Sequence, residues 1–276
     1  MIRPFVWAAL TACALIFIYS REDGAAEGYG GDEFVWRGEV PEGHWINVRN
    51  TNGPVRIDSI EGASGSSMVE VRAKKHWRRG RPKDVRFKVS QEGHDVYVCA
   101  LWGTRGRCGE DRYSADTPWW RRLLHKGNDV RVDFAVRVPR GVKVNASTVN
   151  GAIEVDGAGA DVEVETVNGR IEAASTSGPV RAETVNGSIV ARMDSLSGEG
   201  DIQLETVNGS ITAYVPASFD AILEAETVNG RITSEFPITI MGKLSPKHLR
   251  GTIGRGGRNV SLETVNGSVQ LLRSGG

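Results

Sequence analysis

Thr-Val-Asn-Gly occurs six times in the second half of this 276-residue chain, at residues 148–151, 166–169, 184–187, 206–209, 227–230 and 264–267. Five copies follow a glutamate: Glu165, Glu183, Glu205, Glu226 and Glu263. In all six an Ile or Val stands two places after the glycine, at Ile153, Ile171, Ile189, Ile211, Ile232 and Val269. A unit this short cannot bury its own apolar face, so self-similarity at this period implies neighbouring units packed against one another.

The copies are spaced by 18, 18, 22, 21 and 37 residues. Weaker turn signals fall midway, as at Ser177-Gly178 between Asn168-Gly169 and Asn186-Gly187, so one period holds two strands and two turns. The last interval is close to two periods, which predicts one degenerate unit between Ile232 and Leu262. Part of it should be a basic excursion, because residues 236–262 carry Lys243, Lys247, Arg250, Arg255 and Arg258 and no acidic residue.

Two all-β architectures fit. In a β-solenoid of about 18-residue coils, equivalent residues stack directly, about 4.8 Å apart. In an antiparallel β-meander or sandwich, each Asn-Gly closes a hairpin. The meander sets Glu165 opposite Glu172 and Arg181 opposite Arg192, like-charge pairs that destabilise a sheet. The solenoid stacks Asn on Asn, where amide side chains can hydrogen-bond along the column. It also stacks the glutamates, but the balance favours it. The repeated turns Asn150-Gly151, Asn168-Gly169, Asn186-Gly187, Asn208-Gly209, Asn229-Gly230 and Asn266-Gly267 then become structural corners over residues 141–273, with Asn52-Gly53 a further turn of the same type.

Upstream, residues 34–37, 45–48, 55–57, 68–73, 85–89, 96–101 and 130–138 read as strands. They define an N-terminal β region at 34–140 that caps the stack, interrupted by a loop insertion at 102–128 with a short helix near 118–125. The first 26 residues read as a signal peptide or N-terminal anchor. Arg3 precedes an apolar run at 5–19, which is short for a spanning helix. Residues 27–33 form a linker. Leu10-Thr11-Ala12-Cys13 also has the form of a lipobox, which makes Cys13 a lipidation candidate. The expected location is the periplasm or cell envelope, with membrane attachment through the N-terminus left open. In such a compartment Cys99 and Cys108 should form a disulfide.

The Val138–Gly141 turn (Val-Pro-Arg-Gly) after the 132–138 strand, the repeated Thr-Val-Asn-Gly-x-Ile, and Leu249-Arg250-Gly251-Thr252-Ile253-Gly254 together resemble the bacterial "putative adhesin" family, a domain of unknown function in exported proteins. The likeness spans about residues 34–272. It implies a β-helix-like or solenoid domain on the cell envelope and brings no catalytic residues with it.

The formal net charge is zero, which excludes a generally basic nucleic-acid binder, yet it is unevenly spread. Residues 1–140 carry 23 Lys/Arg against 18 Asp/Glu, and residues 141–276 carry 11 against 16. The five histidines stand at no metal-ligand spacing, and no nucleophile motif is present. No cofactor or metal is therefore expected. If the coils stack, the glutamates form a carboxylate column, which reads best as a solvated edge.

Two basic-aromatic patches remain: Lys74, Lys75, Trp77, Arg78 and Arg79 within 72–83, and Trp119-Trp120-Arg121-Arg122 in the insertion. Aromatic faces stack on sugars, while Arg and Lys hold phosphate or carboxylate. These patches are candidate sites for anionic envelope glycans or lipid headgroups. The expectation is an exported, non-enzymatic adhesin or ligand-binding scaffold. The alternatives are a structural or regulatory envelope protein docking a membrane partner and, remotely, a polysaccharide-acting enzyme.

Overall fold

A computed structural model describes residues 27–28, 31–60, 67–103, 106–109, 129–197, 200–241 and 245–275. The N-terminal strands are β1 (Glu27–Gly28), β2 (Glu33–Glu39), β3 (Trp45–Arg49), β4 (Val55–Ile60), β5 (Met68–His76), β6 (Val85–Glu92), β7 (Asp95–Trp102) and β8 (Arg131–Pro139). The repeats give β9 (Lys143–Asn150), β10 (Ile153–Ala158), β11 (Val162–Asn168), β12 (Ile171–Ser175), β13 (Val180–Asn186), β14 (Ile189–Met193), β15 (Ile202–Asn208) and β16 (Ile211–Val215). The chain ends with β17 (Ala221–Asn229), β18 (Ile232–Ser234), β19 (Ile238–Ile240), β20 (His248–Ile253), β21 (Arg258–Asn266) and β22 (Val269–Arg273). All seven upstream segments read as strands are strands. The expected linker at 27–33 contains β1, which pairs with β6. Cys13 and the helix near 118–125 lie outside the described residues, as does the expected leader at 1–26.

The described strands form two sheets, stacked face to face. Sheet I runs β1-β6-β7-β3-β9-β11-β13-β15-β21-β17-β20-β19, and sheet II runs β18-β22-β16-β14-β12-β10-β4-β8-β5-β2. Each Asn-Gly carries the chain from sheet I to sheet II, so successive repeats pair in parallel with equivalent residues in register: Thr166 with Thr184, Asn168 with Asn186, Ile171 with Ile189. This is the solenoid, not the meander. Eight two-strand rungs stack in the order β7/β8, β3/β4, β9/β10, β11/β12, β13/β14, β15/β16, β21/β22, β17/β18. The sheets run without a break across residue 140. Antiparallel strands cover the ends: β6, β5 and β2 at one, β20 and β19 at the other.

The C-terminal order corrects the expected degenerate unit. Among the described residues no extra rung lies between Ile232 and Leu262. Instead β17/β18 forms the outermost rung, β19 and β20 fold back as an antiparallel cap, and the chain re-enters the stack one position inward as β21/β22. The N-terminus mirrors this arrangement, because β3/β4 lies inside β7/β8.

Alternation along each strand explains the core. Val144, Val162, Val180, Ile202, Val260 and Leu223 form one buried column in sheet I, facing Ile153, Ile171, Ile189, Ile211 and Val269 of sheet II. Full burial of each side chain contributes roughly 1.5–3 kcal/mol.

The tetrapeptide builds the corner through three parallel ladders. Thr points inward and donates its hydroxyl to the glycine carbonyl of the adjacent rung, as in Thr166 to Gly151, Thr184 to Gly169 and Thr206 to Gly187, at 2.9–3.0 Å. Asn amides link rung to rung: Asn168 Nδ2 donates to Asn150 Oδ1, Asn186 to Asn168, Asn208 to Asn186, Asn266 to Asn208 and Asn229 to Asn266, at 2.8–2.9 Å. Glycine is required for space, since the repeat glycines are absent from the positive-φ positions. A Cβ on Gly169 would stand 1.9 Å from the Gly151 carbonyl oxygen.

Candidate functional site

The outer face of sheet I carries what the corners leave exposed. Glu165, Glu183, Glu205, Glu263 and Glu226 stand in consecutive register, followed by His248, whose Nδ1 lies 3.9 Å from Glu226. Beside them run the half-exposed Val167, Val185, Val207, Val265 and Val228. Partial desolvation within the column, then the charges of Glu165 and Glu205, push the exposed Glu183 carboxyl above its ordinary value. A shallow groove of about 600 Å³ crosses this face, with Glu163 hydrogen-bonded by Asn145 and Arg181 among the groups lining it. Among the described residues no group of three or more His, Cys, Asp or Glu is arranged to hold a metal ion.

The N-terminal end is built differently. Cys99 and Cys108 are disulfide-bonded, and with Tyr97 and Leu101 they form a small second core. Ser90 Oγ donates to the Cys108 carbonyl and Arg86 to that of Gly106, which fixes this stretch of the insertion to β6.

Between β5 and the single 3₁₀ turn found among the described residues (Pro82–Asp84), the basic segment makes a tight turn around one carboxylate. The backbone N–H groups of Arg78, Arg79 and Gly80 all donate to Asp129, the shortest at 2.6 Å from Gly80. Those backbone donors hold the Asp129 carboxyl below its ordinary pKa. A concave run of N–H groups is an anion cradle, and here an internal carboxylate occupies it. The turn therefore presents Trp77, Arg78 and Arg79 outward on a fixed backbone, with Trp77 39% exposed.

Two residues of the expected patch have other work. Lys75 is buried: its Nζ donates to the carbonyls of Pro82 (3.1 Å) and Val85 (2.6 Å) and lies 5.2 Å from the centre of the Phe87 ring. Burial lowers its pKa. A lysine enclosed in this way cannot meet a surface ligand, so Lys75 is a structural staple. Strand alternation explains the error, because every second residue of β5 faces the core. Lys74 faces solvent but is paired with Glu33 at 2.8 Å. Trp119, Trp120, Arg121 and Arg122 lie outside the described residues. Sequence reasoning missed Asp129, which nothing in its local pattern distinguishes.

Parallel rungs, stacked polar corners and antiparallel caps define a repeat-built β stack whose outer faces, the groove on sheet I included, are exposed surface. The family model Toastrack DUF4097 matches residues 122–272. The chain belongs to this family. Among solved structures it is similar to a "putative cell adhesion protein" from Clostridium sporogenes, at 9% identity and TM-score 0.49, over 88% of this chain and 99% of that one. It is also similar to a "putative adhesin" from Bacteroides fragilis, at 9% identity and TM-score 0.31, over 88% and 98%. No curated protein matches.

Proposed function

We propose that this chain is an exported, non-enzymatic envelope protein in which the stack serves as a rigid post and the basic turn binds anionic envelope glycans or lipid headgroups. The observation that carries this reading is the Asp129-held turn, with Trp77, Arg78 and Arg79 exposed on one fixed loop. An indole beside two guanidiniums suits a sugar or headgroup that bears phosphate or carboxylate. The turn also sits where the chain enters the fold. Lys75 N–H donates to the Asp32 carbonyl, and Glu33 pairs with Lys74, so residue 31 lies at the same end. Basic groups near an anionic surface contribute about 1 kcal/mol each. The disulfide supports an oxidising compartment, and the expected leader at 1–26 agrees with it.

The test is retention of purified protein by anionic vesicles and acidic glycans, compared with neutral ones, at low and high salt. The reading expects salt-sensitive retention that is lost in the Trp77→Ala/Arg78→Ala/Arg79→Ala variant. Equal retention of that variant, or no retention of either protein, sinks it.

A second reading, docking of a membrane partner, is favoured by the exposed valine column beside the glutamates. It expects co-purification with an inner-membrane protein that Val185→Glu/Val207→Glu abolishes.

A further inference from the structure

Seven Asn-Gly dipeptides lie in this fold, at Asn52, Asn150, Asn168, Asn186, Asn208, Asn229 and Asn266. Asn-Gly is the dipeptide most prone to deamidation, because no side chain on the glycine hinders its nitrogen from attacking the asparagine amide. The attack requires that nitrogen to be free. In six of the seven it is not. Gly53 N–H donates to the Asn150 carbonyl, Gly151 to Asn168, Gly169 to Asn186, Gly187 to Asn208, Gly209 to Asn266 and Gly267 to Asn229, at 2.8–3.1 Å. Each bond runs to the next rung, so a stack of this kind leaves one glycine without an acceptor. The unmatched glycine belongs to the outermost rung, β17/β18.

That glycine is Gly230. Its N–H has no hydrogen-bond acceptor among the described residues, and it is the exposed member of the seven glycines. Its partner Asn229 is exposed as well. The Asn229 amide donates to Asn266 Oδ1 at 2.8 Å, while its own Oδ1 receives no donor from the described residues. The two reacting groups therefore coincide at the one corner where neither is held from the outer side.

We propose that Asn229 is the site at which the folded protein deamidates. The deprotonated nitrogen of Gly230 attacks Cγ of Asn229 and forms a new C–N bond. The Cγ–Nδ2 bond breaks, and the amide leaves as ammonia, which takes up a proton. The resulting succinimide is opened by water at either carbonyl, giving aspartate or isoaspartate at 229. The product loses the Asn229-to-Asn266 amide bond and gains a carboxylate at the end of the asparagine column. An isoaspartate also lengthens the main chain between β17 and β18. The other rungs are untouched, because Asn229 has a stacked neighbour on one side only. The ladder thus protects six reactive dipeptides and confines spontaneous ageing to the terminal rung.

The experiment is peptide mapping by mass spectrometry after incubation of the folded chain at mildly alkaline pH. An identical incubation of the unfolded chain in guanidinium gives the intrinsic rates. The folded protein should accumulate aspartate and isoaspartate at 229 at least about tenfold faster than at any other Asn-Gly, since each of those must first open locally. In guanidinium all seven should react at comparable rates, and Asn229→Ser should remove the dominant native product. Modification spread evenly over the seven sites in the folded protein overturns the proposal. So does faster reaction at an interior rung, or an unmodified Asn229 under conditions where the unfolded chain reacts.

Discussion

Asn266 and Asn208 are 58 residues apart in the chain, yet the amide of one donates to the amide oxygen of the other at 2.8 Å. Their contact records the insertion of β21/β22 between β15/β16 and β17/β18. Disulfides need Cα atoms roughly 4.4–6.8 Å apart, and adjacent parallel strands lie about 4.8 Å apart. The pair Asn208→Cys/Asn266→Cys should therefore oxidise readily, as should Asn168→Cys/Asn186→Cys. Asn208→Cys/Asn229→Cys, adjacent in the sequence of repeats but two rungs apart in space, should not. Non-reducing electrophoresis of the three variants reads the rung order directly. Cross-linking of 208 to 229 would overturn it.

A Cβ on Gly187 would stand 2.0 Å from the Gly169 carbonyl oxygen and 2.5 Å from its carbon. Both are backbone atoms on an adjacent rung and cannot swing aside as a side chain would. Gly187→Ala should therefore cost about 3 kcal/mol, the upper end of ordinary overpacking. Gly93→Ala meets no such atom and serves as the comparison, its cost being conformational because φ is +63°. Denaturant titration of both variants measures the difference. A cost below about 1 kcal/mol for Gly187→Ala would show that the corner can widen.

Glu183 sits in the carboxylate column with its pKa raised by partial desolvation, then by Glu165 and Glu205. The folded state thus holds its proton more tightly than the unfolded chain does. Between the ordinary carboxylate value and the raised one, the folded state binds more protons, so stability contributed by this group falls as pH rises through that window. Above that window the full cost is present. Glu183→Gln should raise Tm at pH 7, flatten the pH dependence in the window, and reduce the stabilisation that added salt gives the wild type. A variant with an unchanged Tm and the same salt response would mean that the column is solvated too well for its charges to matter.

Much of this architecture was legible because stacking forces equivalent residues to be alike. The period, the parallel register, the buried Ile and Val positions and the amide ladder all follow from one repeated tetrapeptide. The rung order was not legible. Glu205, Glu226 and Glu263 begin near-identical corners, so sequence cannot say which of the later two meets β15; the long interval only showed that something intervened. The basic turn was half legible. Trp77, Arg78 and Arg79 stood out by composition, but Lys75 belongs to the inward phase of β5, and Asp129 reaches the turn only through tertiary structure.

The disulfide closes a short loop over the small core of Tyr97 and Leu101. In the chain-entropy model a loop of this size contributes on the order of 2–3 kcal/mol. Cys99→Ala/Cys108→Ala should lower stability by about that amount, with the loss of amide protection concentrated in β6 and β7. Hydrogen exchange checks the location. Protection lost equally from β11 to β16 would contradict the local role.

Lys75, near the end of β5, and the Arg78/Arg79 pair in the turn that follows allow a structural role and the proposed binding role to be tested separately. Lys75→Met keeps the aliphatic stem but removes both donors, leaving the Pro82 and Val85 carbonyls without their ammonium partner. An acceptor deprived in this way costs about 1–3 kcal/mol, so the variant should melt lower yet keep its retention by anionic vesicles at temperatures where it is folded. Arg78→Ala/Arg79→Ala should do the reverse. The turn is held by backbone N–H groups that the substitution leaves in place, so Tm should stay close to wild type while retention falls. Thermal unfolding and vesicle sedimentation on the same two proteins decide the matter. If the arginine pair lowered Tm as much as Lys75→Met, the turn would owe its shape to those side chains, and its exposure would no longer argue for a ligand.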